Sequence, residues 1–236
     1  MQKKKISNKD VKWINNLGVI KKGPVVFFGN EFFDAIPIKQ FKKIKKDFFE
    51  KNYKLKKNKK IQEIFAKASP SYIKILKSYK CLKNLKFIEF PQFGLQELKK
   101  INKKISKSGG CILMIDYGYL KPNNQNTLQS VMKHKRNVLL QNLGKADITS
   151  HVNFALLKEF FEKDGLKVKN VITQKQFLER MGIIERAQIM SNKMKFREQS
   201  DLYLRLKRLL GSNYMGNLFK VIMAYKFNNN NFAGFK

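Results

Sequence analysis

The chain predicts an α/β fold: a mostly parallel sheet with a final antiparallel strand and an inserted β-hairpin region. Three observations carry this expectation. Residues 24–29 and 111–115 are continuous apolar runs, the pattern of parallel strands covered on both faces. Each is followed by an acid at its carboxyl end, Glu31 and Asp116. Segments with helical spacing lie between and after the runs.

The elements follow in order. Val25, Val26, Phe27 and Phe28 form the first strand. Between 38 and 68, apolar clusters such as Phe48-Phe49 and Ile64-Phe65 alternate with lysines, which predicts hairpin-like additions outside the main sheet. Residues 69–79 open a helix with Ser69 as N-cap, Pro70 at the first position and Tyr72, Ile73, Ile75 and Leu76 on its apolar side. Leu95, Leu98, Ile101 and Ile105 give a helix over 93–106, which the Gly109-Gly110 pair breaks before the second strand at 111–115. A helix over 152–162 follows, capped by Thr149 or Ser150 and carrying His151 at its start. Residues 166–172 give a third strand, 176–190 a helix and 218–225 the last, antiparallel strand, with the asparagines of 228–231 as a loop or tail. No internal repeat interrupts this order.

The net charge of +33 suits polyanions, so nonspecific, salt-sensitive attraction to them is expected. The excess is nearly all lysine, and Lys, Asn, Ile and Phe are enriched together, as A/T-rich codons produce. With 43% hydrophobic residues and 20 Phe, the chain has the means to bury a core. Cys81 and Cys111 are too few for a disulfide framework, and Cys111 lies in a strand-like run as a buried thiol. His134 and His151, without a cysteine cluster, do not make a metal site. Three lysines follow the first two residues without an apolar stretch behind them, and no run approaches the ~20 residues that span a bilayer, so a cytoplasmic protein without a membrane span is expected.

The chemistry concentrates where the first strand ends. Asn30, Glu31 and Asp34 follow Gly29, and a helical turn there would put both carboxylates on one face with Phe32 and Phe33 turned inward. Two carboxylates suit a guanidinium, a planar fork of donors whose nitrogen must lose a proton if it reacts. Glu31 and Asp34 would grip it and accept that proton, and Asn30 would orient it. The plainer alternative is that Asn30 or Asp34 closes a turn before Pro37. Asp116 and Tyr117 sit at the tip of the adjacent strand, so they and His151 are the substrate-side residues of the same crevice. Asp116 as an Asx turn and His151 as a structural hydrogen-bonding group remain open beside that role.

The segment GNEFFDAIPIKQF at 29–41 resembles the signature of the MidA family of S-adenosylmethionine-dependent methyltransferases, which includes a protein-arginine methyltransferase for respiratory complex I assembly. Further blocks that resemble the family follow in order: GGCILMIDYGY at 109–119, TLQSVMKHK at 127–135, ADITSHVNFALL at 146–157, TQKQFLERMGI at 173–183, and MGNLFKVIMAY running toward AGF at 215–235. The resemblance implies the C-terminal part of a class I, Rossmann-like methyltransferase fold: residues 1–236 as one incomplete domain, with 38–68 inserted in it. It implies S-adenosylmethionine as cofactor and a protein substrate, in the family's case a complex I subunit.

One departure stands out. Family members carry a glycine-rich loop of the type E-x-G-P-G-x-G that holds the cofactor, and no glycine of this chain makes a G-x-G pattern after a strand. The cofactor-binding residues are therefore unknown in this chain, and the first strand would lie at an open sheet edge. A separately encoded N-terminal half that completes the sheet, or a split or truncated coding region, is the expected origin of that edge. Beside the enzyme stand two other readings: a catalytically inactive assembly or scaffold protein, and a lysine-rich nucleic-acid-binding protein with Phe48, Phe49 and Tyr53 as stacking groups.

Overall fold

A computed structural model describes residues 10–21, 23–58, 60–133, 135–228 and 231–236. His134, the first residues at the amino end, and Asn229 and Asn230 of the asparagine run lie outside the described residues.

Strand β1 (Val25–Asn30) is followed by β2 (Lys39–Ile44), β3 (Asp47–Leu55) and β4 (Ile61–Lys67). Helix α1 (Pro70–Ser78) starts as the sequence predicts, with the Ser69 hydroxyl accepting from the Tyr72 N–H and Pro70 at the first position. Strand β5 (Phe87–Phe90) pairs antiparallel with β2, so the hairpin region 38–68 belongs to a four-stranded antiparallel sheet in the order β4-β3-β2-β5. Helix α2 (Gln92–Ser108) buries Leu95, Leu98 and Ile105. It leads into β6 (Gly110–Tyr119), which continues past the predicted 111–115, so Asp116 and Tyr117 lie within a strand and not at its tip.

Beyond β6, β7 (Gln129–Met132), β8 (Lys135–Asn137) and β9 (Asp147–Thr149) form a three-stranded antiparallel sheet. The two-residue β10 (Val152–Asn153) pairs parallel with β6 at Gly118 and Tyr119, and Asn153 caps helix α3 (Phe154–Lys163) through its side-chain oxygen on the Leu156 N–H. The predicted cap at Thr149 or Ser150 is thus corrected: pairing with β6 keeps the backbone extended through Asn153 and delays the helix. The predicted strand 166–172 divides into β11 (Lys167–Val168) and β12 (Ile172–Thr173). The predicted helix 176–190 divides into α4 (Gln174–Arg180) and α5 (Ile183–Ser191), because Gly182 adopts a left-handed conformation between them, with φ 79°. Helices α6 (Phe196–Leu210) and α7 (Met215–Leu218) precede β13 (Phe219–Lys226).

The main sheet runs β1-β6-β13-β11. β1 is parallel to β6, from Val25 opposite Gly110 to Asn30 opposite Ile115. β13 is antiparallel to both β6 and β11, so β1, β6 and β11 point one way and β13 points back. Among the described strands parallel pairing is confined to β1 with β6 and β10 with β6, so the sheets are mixed and the expected parallel majority does not hold.

The central strands are covered on both faces. Ile112, Met114, Ile222 and Ala224 join the main core with α2 and α3 residues, while Ile115, Phe219 and Val221 pack with Phe177, Met215 and Phe235 on the other side. β1 departs from this pattern. Phe27 packs on the main core, but Val26 and Phe28, which stand in register with Cys111 and Leu113, are 68% and 65% exposed. Its apolar run is continuous, yet one of its faces is bare. Among the described residues no helix is long and apolar enough to cross a membrane.

Candidate functional site

Where β1 ends, its ladder with β6 continues for one more bond, from the Glu31 N–H to the Ile115 carbonyl at 3.0 Å. Glu31 then takes a left-handed conformation with φ 47°, which swings the backbone over the next residue of β6, Asp116. The Asp116 carboxylate receives the chain. Its Oδ2 accepts from the N–H groups of Phe32 at 3.2 Å, Phe33 at 2.9 Å and Asp34 at 3.2 Å, and its Oδ1 from the Tyr117 N–H at 2.9 Å. Consecutive N–H groups aimed at one anion make a concave nest, here filled by the protein's own carboxylate. That capture replaces the predicted helical turn.

The turn is fixed from behind by Phe33, which is buried. A Cβ built on Gly94 of α2 would stand 2.7 Å from the Phe33 ring and 2.8 Å from Ile36, so only glycine leaves room for this close approach. Phe32 is 59% exposed, not turned inward, because the nest points its side chain the other way. Glu31 and Asp34 therefore part company. Glu31 is exposed, with Asn30 donating from Nδ2 to its Oε1 at 3.4 Å, whereas Asp34 is 6% exposed beneath the turn.

Asp34 Oδ2 accepts from the Tyr117 hydroxyl at 2.5 Å, and the Asp34 carbonyl accepts from the Ser150 N–H at 3.0 Å. Asp34 Oδ1 is buried with no hydrogen-bond partner. The Tyr117 ring is held edge-on by His151 at 5.4 Å and by Phe219 at 5.5 Å between centroids. His151 lies before β10, outside the helix, and its N–H donates to Thr127 Oγ1 at 2.9 Å. Asp34, Asp116, Tyr117 and His151 thus form an inner group, with Asn30 and Glu31 on the rim.

Burial, and then the nearby Asp34, push the Asp116 carboxyl up to about 6 against the N–H bonds from Phe33, Asp34 and Tyr117 that favour its ionised form. Burial and the hydrogen bond to Asp34 raise the Tyr117 phenol, which keeps its proton and serves as a donor at neutral pH. Burial lowers His151, opposed by Glu89 and assisted by Lys220, so a neutral imidazole faces the Tyr117 ring. Among the described residues no cluster of His, Cys, Asp and Glu could hold a metal ion.

Residues 1–172 match the family described as "Putative S-adenosyl-L-methionine-dependent methyltransferase". The chain belongs to this MidA methyltransferase family. It is 28% identical over 214 residues to the mitochondrial protein arginine methyltransferase NDUFAF7 homolog of Caenorhabditis elegans, covering 89% of this chain and 50% of that protein. Against the human NDUFAF7 the identity is 24% over 227 residues, covering 89% and 47%. The chain thus spans about half the length of the curated relatives it matches. A crystal structure of a COG1565 superfamily member from Burkholderia thailandensis bound to S-adenosyl-homocysteine superposes with a TM-score of 0.77 at 20% identity, covering 95% of this chain and 58% of that one. A second structure of that superfamily from the same organism gives 0.80 at 19% identity, covering 95% and 60%. At that identity these two show the fold.

Among the described residues, the groove at the carboxyl end of β1 does not fit S-adenosylmethionine. Beside Asn30 runs a groove of about 320 Å³ whose walls are Phe27, Phe28, Phe32, Leu98 and Met114, without a charged side chain to meet the cofactor's amino acid or ribose.

Several residues that position the site escaped the sequence reading. Buried Glu89 on β5 accepts from the N–H groups of Thr127 at 3.0 Å and Leu128 at 3.2 Å and from Gln40 Nε2 at 2.9 Å. It thereby fixes Thr127, which in turn holds the His151 backbone. The only signal was an acid inside the apolar run 87–90.

Proposed function

We propose that this chain is the acceptor-side part of a MidA-family S-adenosylmethionine-dependent methyltransferase, acting on an arginine of a protein substrate. The observation that carries the reading is the exposed Glu31 carboxylate at the carboxyl end of β1, three residues before Asp34, whose buried Oδ1 has no hydrogen-bond partner. An unpaired buried acceptor is costly unless a ligand supplies the missing donor, and a guanidinium supplies several in one plane. Glu31 grips the substrate from the rim, Asp34 binds it from below, and Asn30 orients it. Tyr117 holds Asp34 by its hydroxyl, Asp116 fixes the turn that carries both acids, and His151 supports Tyr117. Glu31 and Asp34 are also the groups placed to take the proton a substituted guanidinium must lose.

The names of the curated relatives, which specify protein arginine, support this substrate class. A respiratory complex I subunit is the acceptor that the family resemblance implies. In this reading residues 1–236 form one incomplete methyltransferase domain with 38–68 inserted in it. The cofactor loop comes from segments that pair with the free edge of β1, in the same polypeptide or as a separately encoded N-terminal half. An inactive scaffold role would instead leave Glu31 without consequence. The nucleic-acid reading loses Phe48 as a stacking group, since its ring is buried.

The test is Glu31→Ala in the enzyme reconstituted with the cofactor-binding segments, assayed by methyl incorporation into a protein substrate. Turnover is expected to fall about 100-fold while cofactor affinity is unchanged. Unaltered turnover would remove Glu31 from the site.

A further inference from the structure

Away from the acids, the β2–β3 turn, α1 and the short turn at Lys80–Leu82 enclose a recess of about 420 Å³. Its apolar lining is the aliphatic stems of the lysines, over the core side chains Phe48, Leu76 and Leu82, which are 4%, 1% and 1% exposed. Its rim is wholly cationic: Lys43, Lys45, Lys46, Lys77 and Lys83. None of these lysines belongs to an ion pair among the described residues, and no carboxylate lines the recess.

The rim is built and not merely decorated. Lys43 Nζ donates to the Lys83 carbonyl at 3.0 Å and stands 5.7 Å from the centroid of the Phe48 ring, which pins one ammonium at the mouth. Lys45 and Lys46 form the two-residue connection of the β2–β3 hairpin, and Lys45 has φ 54°. Glycine or asparagine serves that conformation at less cost, yet the sequence places a lysine there. The lysine-lined hollow on α2 is different. There Lys99, Lys103 and Lys107 share the lining with Asn102, Ser106 and a carboxylate, Asp164, with no apolar side chain among them.

We propose that the recess docks an acidic peptide segment that inserts one bulky apolar side chain between the lysines. An apolar anchor ringed by complementary charge is the arrangement that gives protein interfaces their affinity and register. A nucleic acid would find no ring face on which to stack a base, because Phe48 is only 4% exposed. A bilayer surface would need apolar groups that protrude, and these lie below the ammonium groups. The inference is independent of methyl transfer.

Fluorescence anisotropy of the full chain tests it, with a labelled peptide of aspartates and glutamates around a central phenylalanine, at physiological salt. The phenylalanine peptide is expected to bind about tenfold tighter than its serine counterpart. The triple variant Lys46→Glu, Lys77→Glu, Lys83→Glu should weaken it more than tenfold, and Lys46→Glu alone by about threefold, which keeps the test informative if the triple variant misfolds. Reversal of Lys99, Lys103 and Lys107 should change it by less than about twofold. Equal binding of the two peptides, an equal loss from the α2 reversals, or tighter capture of an oligonucleotide or a phosphatidylserine vesicle through the same three lysines would overturn the proposal.

Discussion

The two edges of the main sheet differ in how they end. At the β11–β12 edge the strands are two residues each, and a bulge separates them: Val168 pairs with Ala224 and Ile172 with Val221, so four steps on the edge span three on β13. Lys167 and Lys169 flank this edge. Short strands, a bulge and lysines are the devices by which sheets refuse a further strand. The β1 edge has none of them. Six residues run unbroken in register with β6, without a charge, and Val26 and Phe28 project from a face that nothing among the described residues covers. One edge is finished, and the other is shaped for continuation.

The sharpest way to break this comparison is to place the same charge at the sheet's middle and at its open edge. Val221→Lys, at a position with no exposure, is expected to cost more than about 4 kcal/mol and to unfold the chain. Val26→Lys should stay within about 0.5 kcal/mol in urea unfolding of the isolated chain. In the assembly proposed above, however, it should prevent association with the cofactor-binding segments. A large loss of stability from Val26→Lys alone would show that β1 is already covered.

A second, smaller effect concerns what holds the end of β1. Asp116→Ala removes the acceptor of three turn N–H groups and is expected to cost about 3 kcal/mol, read from the urea midpoint. The same carboxyl gives a pH signature. Its folded value is raised from 3.8 to about 6, so its stabilising contribution is fully present below about pH 4 and is lost as pH rises through 6. The decline is on the order of 3 kcal/mol for this buried group, and Asp34→Asn should narrow the window by removing the like charge. A stability that is flat from pH 4 to 7 would exclude this.

Much of the sheet was legible because parallel strands write continuous apolar runs, at 111–115 where both faces are covered and at 25–28 where one face is bare. The runs at 25–28 and 111–115 are apolar without interruption, and the Ser69-Pro70 start of α1 is a local signal that tertiary contacts do not override. Proximity of Asp116 to the end of β1 followed from parallel pairing alone. The details of the site did not, because they depend on contacts between distant segments. Asp116 captures the 32–34 backbone across more than 80 residues, which turns Phe32 outward and separates Glu31 from Asp34. Two residues of pairing at β10 displace His151 from the helix, and the sheet of β7, β8 and β9 is written in polar residues with no clear alternation.

The most direct test of the proposed acceptor wall and its open β1 edge is calorimetric titration of S-adenosylmethionine into this chain, alone and then joined to segments carrying the glycine-rich loop. The chain alone should show a Kd no tighter than about 1 mM, and the completed fold a Kd of about 1–10 μM. Micromolar binding by the isolated chain would contradict the account.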